Sequence, residues 1–164
     1  MSQIDAIAEI RDDHKKVRDT LLEIIDAIRR RDVTKAYELL IILDKLGGPH
    51  FRAEEETMYP LMKRFYGEEY YSRLLDEHDR VIRAARKLAE TLGKGEITPE
   101  EADELVRVIQ NEIMPHPITC SGLEIFMERL TREELDKIGE SLVAARKEGL
   151  PLLEWSQTVR ERKV

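Results

Sequence analysis

Six side chains in this sequence have the types and spacing to do chemistry together: His14, His50, Glu54, His78, His116 and Cys120. The four histidines are all the chain has, and each falls on an apolar stripe with helical spacing. His14 sits between Ile10 and Val17, His50 follows Leu46, His78 lies between Leu74 and Val81, and His116 between Ile113 and Cys120. With about two seam positions in every seven, chance would seat all four there in about one case in a hundred. One such histidine alone reads as a core residue bonded to a neighbour. Four uncharged imidazoles in one apolar interior lack protein partners for their nitrogens, whereas a metal ion satisfies several at once.

Glu54 lies one helical turn after His50 and shares its face, so both reach one metal or two adjacent ones. A buried carboxylate without a cation is costly, so its seam position argues for positive charge inside. Glu55 and Glu56 are expected to point outward. Imidazole with carboxylate favours iron, manganese or zinc over calcium or magnesium. Cys120 has no partner for an intramolecular disulfide and is a buried filler, a metal ligand or a reactive thiol.

Positioning these residues falls to helices, since no run alternates with period two over strand length. The first carries Ile7, Ile10, His14, Val17, Leu21, Ile24 and Ile28, and ends near Arg31-Asp32. Thr34 is the expected N-cap of the second, whose stripe runs through Leu39, Leu43, His50, Glu54 and Met58 to Leu61. Gly47-Gly48-Pro49 should kink or restart it, with Pro49 in a first turn. Gly67 closes that segment, and a third helix carries Tyr71, Leu74, His78, Val81 and Leu88 to Gly93-Lys94-Gly95. Thr98-Pro99-Glu100-Glu101 opens the fourth with a capping box. Pro115 and Pro117 should bend it at His116. Thr131-Arg132-Glu133-Glu134 opens a fifth, which Gly149 and Pro151 stop.

An internal repeat emerges with the histidines as markers. Asp13-His14 resembles Glu77-His78, and the paired histidines are offset by 64 and 66 residues. Two duplicated helical hairpins pack most simply as an up-down-up-down four-helix bundle, because short loops force antiparallel neighbours. The expected fold is therefore all-α: a bundle over residues 1 to 130, with an additional C-terminal helix and tail over 131 to 164. The tail holds the only tryptophan, Trp155. Its apolar surface closes the bundle or makes a homodimer.

The 164 residues, 41% apolar and 37% charged with 8 Gly and 6 Pro, suit one ordered helical domain. No stretch approaches the eighteen or so apolar residues of a membrane span, and the N-terminus meets acids too early for a signal peptide, so a cytoplasmic protein is expected. A net charge of -7 disfavours nucleic acid and anionic membranes as partners.

With its motifs in place, the chain resembles the hemerythrin-like, or HHE cation-binding, family. Asp13-His14, His50-Phe51-Arg52-Ala53-Glu54-Glu55-Glu56 followed by Tyr59-Pro60, and Glu77-His78-Asp79-Arg80 carry the resemblance over roughly residues 1 to 130. It implies a non-haem di-iron centre with His14 and His50 on one iron, His78 and His116 on the other, and Glu54 bridging. The ligand it implies is small: dioxygen, nitric oxide or peroxide.

Two departures qualify that expectation. Four residues after His116 the family places a second glutamate, and this chain has Cys120, a candidate thiolate ligand. Glu124 is about 12 Å beyond His116 along an ideal helix and would contribute only if Ser121-Gly122 broke it. Glu112 lies on the wrong side of His116. The third helix has one histidine where oxygen carriers have two, which implies an open coordination position rather than reversible oxygen carriage. An oxidoreductase using that open site, or a mononuclear structural zinc or iron site with Cys120, are the alternatives. Tyr59, Tyr66, Tyr70 and Tyr71 cluster at the turn after the second helix, and Tyr59 is the one best placed to reach a metal-bound ligand.

Overall fold

The structure, a computed structural model, describes residues 4–164 and is all-helical. In chain order it has α1 (Ala6–Arg29), α2 (Val33–Ala53), a π-helical segment (Glu54–Met58), α3 (Tyr59–Leu92), α4 (Pro99–Val108), a second π-helical segment (Ile109–Ile113), α5 (Pro115–Met127), α6 (Arg132–Glu148) and α7 (Leu152–Thr158). The segments through α5 form the four rods of an up-down-up-down bundle, and α6 and α7 pack on it. The first is α1. The second is α2, its π segment and the start of α3 as far as Gly67, where φ 81° and ψ 172° turn the chain. The rest of α3 is the third rod, and α4, the second π segment and α5 make the fourth.

Local signals explain most boundaries. Thr98 and Thr131 each make the reciprocal capping box with Glu101 and Glu134, and Gly149 ends α6 with φ 67°. The N-cap of α2 is Asp32, whose carboxylate accepts from the Lys35 amide, and not Thr34. Asp32 holds that place because Arg31, at φ 56°, has already turned the chain.

The helix does not restart at Gly47-Gly48-Pro49: α2 runs through the triplet, with Pro49 in its interior and not in a first turn. What those residues provide is room: a Cβ on Gly48 would lie 1.9 Å from the Leu150 carbonyl oxygen and 2.7 Å from the Pro151 carbonyl carbon. The chain entering α7 lies against bare backbone there, and the Leu153 amide donates to Asp44 Oδ1 at 2.9 Å. Trp155, 1% exposed, joins the core of its own chain. An indole buries on the order of 200 Å², about 5 kcal/mol of apolar transfer at most.

Two apolar clusters bracket the middle of the bundle. One, with Val17, Leu21, Ile24, Leu88, Leu105 and Trp155, fills one end; the other, with Ile10, Met58, Met62, Leu74, Met127 and Leu142, fills the opposite end. The histidines lie in the layer between them. Among the described residues no helix is long and apolar enough to cross a membrane.

Candidate metal centre

All four imidazoles converge, each at most 4% exposed, around the fully buried Glu54. Its two oxygens divide them. Glu54 Oε1 lies 3.0 Å from His50 Nε2 and 3.7 Å from His14 Nε2. Glu54 Oε2 lies 3.0 Å from His78 Nε2 and 3.5 Å from His116 Nε2. Each bundle rod contributes one histidine, and the π segment starting at Glu54 closes with the Tyr59 amide bonded five residues back. The second π segment closes likewise, Met114 N–H to Ile109 O at 2.8 Å, just before His116. Such wide turns re-aim side chains and recur at functional sites.

The outer nitrogens have carboxylate neighbours. His50 Nδ1 bonds Asp13 at 3.0 Å, His78 Nδ1 bonds Glu55 at 2.8 Å and His14 Nδ1 bonds Glu124 at 3.1 Å. His116 Nδ1 faces Glu77 at a looser 3.6 Å. An ionised carboxylate only accepts, so these imidazoles donate from Nδ1 and turn Nε2 inward toward Glu54, where it is free to bind a metal once deprotonated. This is the arrangement that orients histidines on metals.

Arginines hold three of the four carboxylates in turn. Arg146 of α6 bonds Asp13 at 3.0 Å, Arg11 bonds Glu124 at 2.7 Å, and the buried Arg160 grips Glu55 with contacts of 2.7 to 3.0 Å. Glu55 therefore does not point outward as its position next to Glu54 suggests. The π segment shifts the helical rotation, and Arg160 from the C-terminal tail covers that face. Glu56 is exposed and pairs with Arg52. Glu124 sits on an unbroken α5, so it reaches across to α1 and His14 without becoming a candidate ligand. Glu112 pairs with Arg80 at 2.7 Å, away from the centre.

Cys120 and Tyr59, both fully buried, lie below Glu54. The Tyr59 hydroxyl donates to Glu54 Oε2 at 3.1 Å and stands 3.0 Å from Cys120 Sγ and 3.2 Å from His78 Nε2. Tyr66 donates to the Tyr59 carbonyl at 3.0 Å, while Tyr70 packs beside Tyr66. Ligand atoms of His14, Glu54, His116 and Cys120 all lie within 4.8 Å of one another.

Charge in this pocket is balanced by protons. Burial opposes ionisation of Glu54, yet the surrounding imidazoles, His50 foremost, hold its carboxyl well below the usual range. Burial also works against charge on His50, but Glu54 and Asp13 outweigh it and raise its pKa to about 10. Burial dominates at His116 and lowers it to about 4. Burial, reinforced by Glu54, pushes the Cys120 thiol well up, so a thiolate there requires a cation beside it.

The donor set fits a metal. His14 Nε2, His50 Nε2, His116 Nε2 and Glu54 Oε1 are buried with no hydrogen-bond partner. Orphaned atoms of this kind are rare in native interiors. Two ligands about 2.1 Å from one metal, at octahedral to tetrahedral angles, stand about 3.0–3.4 Å apart, close to the separations around each Glu54 oxygen.

The family model of the hemerythrin HHE cation-binding domain matches residues 5–116. The chain belongs to that family of cation-binding bundles. The match ends at His116, before Cys120, Glu124 and both C-terminal helices. No curated protein and no solved structure matches the chain with significance.

Proposed function

We propose that the protein holds a non-haem di-iron centre and uses it to bind or sense a small ligand: dioxygen, nitric oxide or peroxide. One observation carries the reading, the placement of two imidazole Nε2 atoms at each oxygen of buried Glu54. His14 and His50 would hold one iron and His78 and His116 the other, with Glu54 between them. Cys120 stands where the family's second carboxylate is absent. Bound iron supplies an exchangeable coordination position and one-electron redox chemistry. The chain's own residues fix the rings: Asp13, Glu55 and Glu124 hold Nδ1 protons, Tyr59 aims a hydroxyl into the pocket, and the two apolar clusters exclude water. Manganese or zinc suits the same donors. Anaerobic iron loading followed by metal analysis should give two irons per chain; one equivalent or less overturns the reading. Turnover with an external reductant would make the same site that of an oxidoreductase.

The grouping of His14, Glu54, His116 and Cys120 favours a second reading, a mononuclear zinc or iron site of structural type. It yields one metal per chain, and chelation lowers stability without a redox-sensitive spectrum. Metal count and the redox response separate the two, and a thiolate-to-metal absorption that vanishes in Cys120→Ser assigns Cys120 as a ligand in either.

A further inference from the structure

Beside the centre, on the side where α2 meets α7, is a cavity of about 140 Å³. Tyr37 and Ile41, 38% and 41% exposed, form its lip, and its inner end is His50 and His116. Small residues create the space. Ala85 and Ala89, one turn apart on α3, face Gly47 on α2, while Leu152 and Leu153 of α7 roof it. Those two leucines lie beyond the residues the family model matches.

We propose that this cavity binds a small apolar organic molecule, about the size of benzene, against the His50–His116 side of the centre. A diatomic gas would leave most of the volume empty. Water is a poor occupant, because a buried water needs two to four polar partners. Asp44 Oδ1 accepts the Leu153 amide and His50 Nδ1 bonds Asp13, while the Nε2 atoms of His50 and His116 lie 3.0 and 3.5 Å from Glu54, toward the centre. Enclosed apolar cavities of about 150 Å³ take up benzene or xenon, and this one, open at the Tyr37–Ile41 lip, offers similar space behind an entrance. Among the described residues the only hydroxyl on the wall is that of Tyr37 at the lip and the only carboxylate is that of Asp44, so the occupant is an apolar body with at most one polar group turned toward them. That it meets iron rests on the di-iron reading; the cavity does not.

Methyl-resolved NMR of the full chain, metal-free and iron-loaded, titrated with benzene and separately with xenon, tests this. Saturable shifts are expected at Val81, Ala85 and Leu152 in the metal-free protein. Ala85→Leu, which fills the space, should weaken benzene binding at least tenfold with an unchanged or higher Tm. Ala89→Leu serves if that variant does not fold. Absence of saturable shifts, shifts confined to the opposite cluster around Met58 and Leu123, or undiminished binding in the filled variant overturns the proposal. Benzene binding by a chain that takes up no iron refutes the di-iron reading alone; iron uptake without benzene binding refutes the cavity alone.

Discussion

Replacing Glu54 with glutamine separates what the centre costs from what it does. In the metal-free protein Glu54 is a fully buried charge, balanced chiefly by the proton it draws onto His50. Glutamine keeps the shape and removes the charge, and His50 then releases its Nε2 proton, its Nδ1–H staying on Asp13, which Arg146 still pairs. The amide also suits the pocket: its oxygen accepts from Tyr59 and its NH₂ faces the orphaned Nε2 atoms of His14 and His50. Replacing a buried ion pair by well-packed apolar residues of similar volume stabilises by about 1–4 kcal/mol in favourable cases, and a hydrogen-bonded amide should recover the lower part of that range. At about 2–4 °C per kcal/mol for a chain of this size, metal-free Glu54→Gln should melt at least a few degrees above the parent. It should also lose the second metal. Calorimetry of both chains with and without iron reads both effects: the parent gains stability on loading and the variant gains little. A metal-free variant less stable than the parent by more than about 2 kcal/mol, or one that still binds two metals, refutes the reasoning.

Three further outcomes follow from the same structure. Stability of the metal-free protein should peak near pH 6.5. Above it, His50, raised to about 10, progressively loses the advantage it has while both states are protonated; below it, His116, lowered to about 4, stays neutral in the fold while the unfolded imidazole takes a proton. A flat Tm profile from pH 5 to 9 would contradict those shifts. Arg160→Leu leaves Glu55 and Asp79 without their buried partner and frees the group that orients His78. It should cost about 3–5 kcal/mol and weaken metal binding about 10- to 100-fold, measured by denaturant melts and chelator competition; parental affinity would show that the tail does not support the site. Gly48→Ala drives a methyl into the Leu150 carbonyl. Red-shifted Trp155 fluorescence and a loss of at least about 2 kcal/mol are expected, and an unchanged emission maximum would mean that α7 docks by other means.

The inner residues were legible because helical periodicity alone decides which way they face. His14 between Ile10 and Val17 has no other direction to point, and the same holds for His78 between Leu74 and Val81. Capping boxes at Thr98 and Thr131 were equally plain, being local chemistry. What escaped were the groups behind the histidines. Asp13 and Glu77 precede a histidine in each repeat, but each faces the ring on the next rod, Asp13 that of His50 and Glu77 that of His116. The repeated acid-histidine pair was the signal, and its meaning is tertiary. Glu55 was misplaced because a regular helix turns it about 100° from Glu54, whereas the π segment and Arg160, 105 residues away, bring it to His78. Gly47-Gly48-Pro49 reads as a break only until the 150–152 segment is seen to need the bare backbone.

The central claim is that metal lies among the four Nε2 atoms, on both sides of Glu54. Anomalous diffraction at the iron edge from crystals of the iron-loaded protein tests it most directly. Two peaks are predicted, one bounded by His14, His50 and Glu54 Oε1 and the other by His78, His116 and Glu54 Oε2. A map without iron between those rings would contradict it.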